Sequence, residues 1–222
     1  MSSYPPPTNN AIEVDAVLFD MDGTLIDSTP VVERLWTEFA IEYGIEPAVL
    51  LSYSHGRQTH ATVSRFLPEG FDPAEVTAAF ERSELRETDG IVEIPGAHQL
   101  LQALAGARVG VVTSAKRPLA LLRFAAAGLA IPKVFVTADL VTRGKPDPEG
   151  YVQAAQLLGT EPARCLVVED AEAGIRSGLA AGSSVLVVGT HHSEVTEGLP
   201  RVPDLTHVTA EAVGDRVQLR WA

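Results

Sequence analysis

Cysteine occurs once in this 222-residue chain, at Cys165. No intrachain disulfide can form, and a reducing, cytoplasmic setting is expected. The lone thiol lies in the apolar run Cys165-Leu166-Val167-Val168 and reads as a small core residue rather than a nucleophile. Lysine is nearly as scarce, confined to Lys116, Lys133 and Lys145. Lysine and arginine together number 17 against 29 acidic residues, a net charge of -12. Such a balance argues against non-specific nucleic-acid binding and against an anionic membrane surface. No apolar segment approaches the roughly 18 residues that cross a bilayer, and no internal repeat is present. Residues 1–10, polar and proline-rich, lack the basic-then-apolar order of a signal peptide and are expected to be a disordered tail. Hydrophobic content of 45% with 21% charge suits a globular protein with a sizeable core.

The chain is organised around Ala16-Val17-Leu18-Phe19-Asp20-Met21-Asp22-Gly23-Thr24-Leu25. An apolar run stops abruptly at two carboxylates one residue apart, followed by Gly-Thr. A short, wholly apolar run bounded by a turn signal suits a buried parallel strand, and open α/β sheets bind ligands beyond the carboxyl ends of their strands. Two like charges about 4 Å apart repel by roughly 4 kcal/mol even at an effective dielectric near 20. The pair therefore calls for a cation, a shared proton or a different role for each acid. A strand that merely ends in a solvated Asp-Gly turn is the plain alternative. Met21, between the two acids, is expected to point into the core.

After this strand, Val31 to Tyr43 carries Val31, Leu35, Trp36 and Phe39 at helical spacing, closed by Gly44. No strand signal follows until about Ile94; His60 to Phe66 and Pro73 to Glu87 read as further helices. From Pro95 the rhythm alternates. Strands are expected at Val109–Thr113, Val134–Val136, Leu166–Val168 and Val185–Val188. Helices are expected at Ala97–Leu104, Pro118–Ala127, Pro148–Leu158 and Ala171–Ala181. Such alternation predicts an α/β fold, a parallel sheet with helices on both faces. The core would comprise residues 11–29 and 95–222, and residues 30–94 an inserted all-helical subdomain. Val217 to Trp221 reads as an edge strand.

Three apolar strands end in polar clusters, Asp20/Asp22, Thr113/Ser114 and Glu169/Asp170, and Lys145 sits in a loop between Gly144 and Pro146. In a parallel sheet these termini share one edge. Four carboxylates there repel unless a hard divalent cation such as Mg2+ neutralises them. The lysine, the hydroxyls and the backbone N–H groups near Gly23 and Ser114 supply what a phosphate needs.

Asp20-Met21-Asp22-Gly23-Thr24, Thr113-Ser114, Gly144-Lys145-Pro146 and Glu169-Asp170-Ala171, in this order, resemble the four motifs of the haloacid-dehalogenase-like phosphohydrolase superfamily. The resemblance implies a Rossmann-like core with a helical cap, and Mg2+ as cofactor. Asp20 would be the nucleophile that forms an aspartyl-phosphate. Asp22 would protonate the leaving alcohol and then deprotonate water, while its backbone carbonyl ligates Mg2+. Thr113 and Ser114 would hold phosphoryl oxygens, with Gly23 beside them, and Lys145 would offset charge on Asp20 and the phosphate. Asp170 and Glu169 would complete the metal site. A second acid two residues after the first suits ester hydrolysis, where an alcohol must be protonated, and argues against carbon–halogen displacement.

Two further stretches resemble small sugar- and polyol-phosphate phosphatases of this superfamily, those for glycerol phosphate and 2-deoxyglucose 6-phosphate. They are Ser54-His55-Gly56-Arg57-Gln58-Thr59 in the cap, and the segment from Val141 to Tyr151. Gly56, Arg57 and Thr59 are the candidate cap residues, poised to meet substrate on cap closure. A surface arginine is the plain alternative for Arg57, and a helix-capping or loop histidine for His55 and His60. His191-His192 read as loop residues. Lys116, just past the Thr113 strand, is a further candidate for phosphate binding. A β-phosphoglucomutase-like activity is the alternative chemistry, but the mutases carry a histidine near the first motif where this chain has Val32. A phosphonate hydrolase would need a cap lysine, and residues 30–94 contain none. A non-catalytic phosphate-binding protein would show departures at the nucleophile or the lysine, and neither occurs. The expected partner is a small phosphorylated sugar or polyol, with no nucleic acid and no membrane, and the expected state is a monomer.

Overall fold

A computed structural model describes residues 10–222. Residues 1–9, most of the expected tail, lie outside the described residues, and Asn10 already opens a strand. Strand β1 (Asn10–Val14) leads into β2 (Ala16–Phe19), whose four residues are all buried. A turn and the short β3 (Ile26–Asp27) follow, and then four helices: α1 (Thr29–Glu42), α2 (Pro47–Ser54), α3 (Thr59–Phe66) and α4 (Pro73–Glu84). Strand β4 (Val92–Glu93) returns antiparallel to β3, so the two crossings of this helical excursion are tied side by side. Alternation then takes over with α5 (Ala97–Ala103), β5 (Val109–Val112), α6 (Arg117–Ala127), β6 (Val134–Val136), α7 (Glu149–Leu157), β7 (Cys165–Glu169), α8 (Glu172–Ala180) and β8 (Ser184–Val188). Strands β9 (Arg201–Val202), β10 (Val208–Val213) and β11 (Arg216–Trp221) complete the chain.

The main sheet is six-stranded and parallel throughout, in the order β6-β5-β2-β7-β8-β9. Strand β2 lies between β5 and β7, in the register Phe19 beside Val111 and Val168. The chain leaves β2 to one side and later returns to the other, which opens a crevice beyond the end of β2 at this switch point. Side chains alternate between the faces as strand geometry requires. Val17, Phe19, Val111 and Val168 join one apolar cluster, and Ala16, Leu18, Val112 and Val167 the other. Met21 packs in the first cluster, fully buried, as the sequence predicts.

The helices begin and end where the chain's punctuation says. Proline occupies the first turn of α1, α2, α4 and α6, where its missing N–H is not needed. Asp72 caps α4 by accepting the Ala74 N–H at 2.9 Å, and Gly128 closes α6 in the left-handed conformation. Aromatic rings hold the four-helix subdomain together: Trp36 stacks on Phe80 at 3.9 Å, and Phe39 meets Phe80 edge-on at 5.8 Å.

Several elements differ from the sequence expectation; strands β1, β3, β4 and β10 have no counterpart in it, and three further differences have a clear physical reason. Helix α2 is not predicted, because Val49, Leu50 and Leu51 are consecutive and show no amphipathic period; only Leu50 is fully buried. A sixth parallel strand, β9, extends the sheet by two residues, too few to leave a pattern. Val217–Trp221, expected at an edge, instead belongs to the middle strand of a separate antiparallel sheet, β1-β11-β10.

Candidate active site

The backbone at the end of β2 separates the two leading acids. The Asp20 N–H still donates to Val168 O at 3.0 Å, so Asp20 is held at the sheet edge. The Leu25 and Ile26 N–H groups both donate to Met21 O at 2.9 Å, folding the chain into a tight turn. Gly23 sits in that turn at φ +87°, and a Cβ there would run into the Asp170 carboxylate. Both the backbone angle and the close approach require glycine.

Around Asp20 the structure gathers Lys145, Glu169 and Asp170. The Lys145 ammonium donates to Asp20 Oδ1 and, at 2.7 Å, to Glu169 Oε1. Glu169 is fully buried and saturated. Its Oε1 also accepts the Tyr151 hydroxyl at 3.1 Å, and its Oε2 accepts the N–H groups of Asp170 (2.9 Å) and Ala171 (3.0 Å). Asp170 Oδ1 accepts the Thr24 hydroxyl at 3.0 Å. Burial disfavours the Lys145 ammonium, but Asp20 and Glu169 outweigh it and keep its proton well above the usual lysine range. Burial raises the Asp20 carboxyl above the ordinary carboxylate range; Lys145 opposes the rise, and Glu169 and Asp22 reinforce it. Burial, with Glu169 and Asp20, raises Asp170 as well.

Asp22 faces elsewhere. Its Oδ1 accepts the Ser28 hydroxyl at 2.6 Å, and its Oδ2 pairs with Arg123 Nη1 at 2.8 Å. The two acids therefore have different surroundings. Asp20 faces the lysine and the acid cluster, whereas Asp22 faces α6 and the helical subdomain.

One carboxylate oxygen from each of Asp20, Glu169 and Asp170 lies within 4.8 Å of the others. This all-oxygen, anionic donor set suits a hard divalent cation. Asp20 and Asp170 have coordination capacity to spare, whereas the four contacts to Glu169 make it the holder of Lys145 and of the following turn.

The remaining predicted residues divide into two groups. Thr113 is buried on the chamber wall, its Oγ1 accepting the Ala115 N–H at 3.0 Å, so its own hydroxyl proton stays available. Gly56, Arg57 and Thr59 line the same chamber, with the Arg57 guanidinium 4.3 Å above the Tyr53 ring. Val32 is on its wall too. Ser114 lines the chamber but gives its hydroxyl to Gly56 O at 2.8 Å, a seam contact between core and helical subdomain. Lys116 lies outside the chamber. As the residue before α6 it is extended and exposed, and its ammonium pairs with Glu81 of α4 at 2.7 Å across the seam. Of the loop histidines, His191 lies 3.4 Å from Glu172.

Residues that no motif singles out also belong here: Ser28, Glu84 and Arg123. Arg123 and Glu84 form a buried pair at 3.2 Å across the seam. Each falls in the buried stripe of its own helix, Arg123 with Leu119, Ala120 and Phe124, Glu84 with Thr77 and Phe80. A charge inside an apolar stripe was the available signal. Gln58 packs on Gly144, where a Cβ would come within 2.6 Å of its amide carbon.

An open parallel sheet with acids at its switch point and a helical excursion after its first strand defines a hydrolase class. The family model described as haloacid dehalogenase-like hydrolase matches residues 14–182, and the chain belongs to this family. It is 48% identical to hexitol phosphatase A of Escherichia coli (strain K12), over 77% of this chain and 81% of that protein. It is 35% identical to 2-deoxyglucose-6-phosphate phosphatase 1 of Saccharomyces cerevisiae, over 76% and 77%. Among solved structures, β-phosphoglucomutase from Clostridium difficile superposes with a TM-score of 0.76 at 20% identity, covering 87% of this chain and 92% of that one. That last likeness speaks for the fold alone.

Proposed function

We propose that this phosphatase hydrolyses the monophosphate ester of a small sugar or polyol, using Mg2+ and an aspartyl-phosphate intermediate. The observation that carries the reading is the Lys145 ammonium bridging Asp20 and Glu169 with Asp170 alongside. It is supported by kinship to proteins named as hexitol and 2-deoxyglucose-6-phosphate phosphatases.

In the first half-reaction an Asp20 carboxylate oxygen attacks phosphorus, the ester P–O bond breaks, and Asp22 gives a proton to the departing alkoxide. In the second, Asp22 takes a proton from water, whose oxygen attacks phosphorus, and the Asp20–phosphorus bond breaks to release phosphate. Lys145 balances the charge that gathers between Asp20 and the phosphoryl oxygens, and the Thr113 hydroxyl donates to one of those oxygens. Asp20, Asp170 and the Asp22 carbonyl would hold Mg2+, which supplies charge neutralisation where two anions must meet. Residues 30–94 serve as a cap that closes the chamber against water.

Release of inorganic phosphate from sorbitol 6-phosphate and glycerol 1-phosphate tests the reading. Activity should require Mg2+, disappear with EDTA and fall by at least about 10³-fold in Asp20→Asn. Metal-independent turnover, or an active Asp20→Asn protein, would overturn it. Glucose 6-phosphate appearing from β-glucose 1-phosphate and a bisphosphate primer faster than free phosphate would replace hydrolysis with mutase chemistry.

A further inference from the structure

The hydrolytic reading leaves the Arg123–Glu84 pair without a task. Its two side chains are only 5% and 7% exposed, they come from opposite sides of the seam, and both line the chamber that holds Asp20 and Asp22. Arg123 Nη1 pairs with Asp22 and Nη2 donates to Glu84 Oε1, while Glu84 Oε2 accepts the Thr59 hydroxyl at 3.2 Å. The third nitrogen, Nε, has no partner. Among the described residues, it is the one buried side-chain polar atom without a partner that belongs to a residue of this chamber.

Three serine hydroxyls on the wall are committed. Ser28 gives its hydroxyl to Asp22, Ser54 to Leu51 O and Ser114 to Gly56 O. Trp36, Val32 and Leu119 offer only apolar or ring surface. What remains is a buried, unpaired N–H donor beside a carboxylate whose oxygens still have lone pairs. A hydroxyl group, which accepts one hydrogen bond and donates another, is the complement of that pair. A second phosphate is not: two carboxylates already neutralise the guanidinium, and they would repel a further dianion.

We propose that Arg123 and Glu84, with Thr59 at their edge, form the subsite that recognises hydroxyl groups on the alcohol portion of the substrate. The inference rests on the phosphatase reading and deepens it. The chain of contacts Asp22 to Arg123 to Glu84 starts at the group that meets the leaving oxygen and runs into the cap. A substrate hydroxyl near the ester therefore accepts from Arg123 Nε and donates to Glu84. Because Glu84 rides on α4 and Arg123 on α6, the subsite is complete only with the cap seated.

The test is the preference for glycerol 1-phosphate over n-propyl phosphate, esters of equal chain length with and without hydroxyls. It is measured as a ratio of kcat/KM in the wild type, Glu84→Gln and Arg123→Lys. The wild type should favour the glycerol ester by about tenfold or more. Each variant should bring the ratio down to within about threefold of unity, with KM for the glycerol ester rising. A residue that merely supports the fold slows both esters in proportion and leaves the ratio where it was. A ratio near unity in the wild type, or one retained in the variants, overturns the subsite. A wild type that releases phosphate from sorbitol 6-phosphate but from neither ester also overturns the subsite, and one that releases it from none of the three overturns the phosphatase reading instead. Should Glu84→Gln fail to fold, as judged by circular dichroism, the ratio in Arg123→Lys decides.

Discussion

At the scale of single residues, electrostatics in a dry pocket sets the behaviour. Lys145 neutralises two carboxylates that are each almost fully buried. Removing one partner of a buried ionic cluster costs about 3–5 kcal/mol, because the remaining charges are left uncompensated. Lys145→Met should therefore lower thermal stability markedly and cut kcat by about 10²–10³-fold, read by differential scanning calorimetry and steady-state kinetics. Divalent metal should restore part of the stability and little of the rate. Cys165 illustrates the converse. Burial pushes its thiol up to about 11, and its Sγ donates to Glu161 O at 3.4 Å. It should resist a thiol reagent at pH 8 in the native protein and react at once in denaturant. Rapid native labelling would show that this strand opens readily.

At the scale of elements, the seam between the helical subdomain and the sheet carries the interest. Glu84 joins α4 to α6, and burial raises its carboxyl from 4.5 to about 7, against the pull of Arg123 and with a push from Asp22. Between those two values the folded state holds a proton that the unfolded chain has released. Stability from this group is thus complete below about pH 4.5 and declines as pH rises towards 7. The decline is at most about 3 kcal/mol, the two-and-a-half-unit shift converted at 1.36 kcal/mol per unit. Melting temperatures from pH 5 to 8 should fall more steeply in the wild type than in Glu84→Gln, which has no proton to lose. Equal slopes would show that Glu84 is not the group responsible. At the neighbouring contact, a Cβ at position 144 meets the Gln58 side chain, whose amide donates to Ala138 O at 3.4 Å. Gly144→Ala should reduce kcat/KM several-fold by disturbing cap seating, and adding Gln58→Ala should recover much of the loss. Additive losses in the double variant would place the cause elsewhere.

For the molecule as a whole, the β1-β11-β10 sheet joins stretches from opposite ends of the described chain: Asn10 pairs with Trp221 and Val14 with Val217. Val217, Leu219 and Trp221 are buried, and each contributes about 1.5–3 kcal/mol through its apolar surface. Deleting residues 216–221 should remove several kcal/mol and broaden or abolish the cooperative unfolding transition, although no residue of the chamber is touched. A truncated protein that melts with wild-type cooperativity would show that this sheet is an accessory. No helix among the described residues is long and apolar enough to cross a membrane.

The motif-bearing strands were legible in the chain because their causes are local. An apolar run needs only its neighbours to become a strand, and Asp-Gly, Thr-Ser and Glu-Asp end such runs wherever they fold. Right-handed parallel connections then bring those ends to one edge without any knowledge of distant contacts. The long helical stretch between two strands likewise announced an insertion. Other features were decided by contacts remote in sequence. Lys116 lies close in sequence to Thr113, yet Glu81 of α4 draws its ammonium to the seam. β11 is central because β1, some 200 residues away, supplies its second neighbour. Arg123 and Glu84 carried only the faint mark of charges in apolar stripes, 39 residues apart. Their pairing exists because the packed helical subdomain brings α4 down onto α6, and a buried charge must find its opposite wherever the fold provides one.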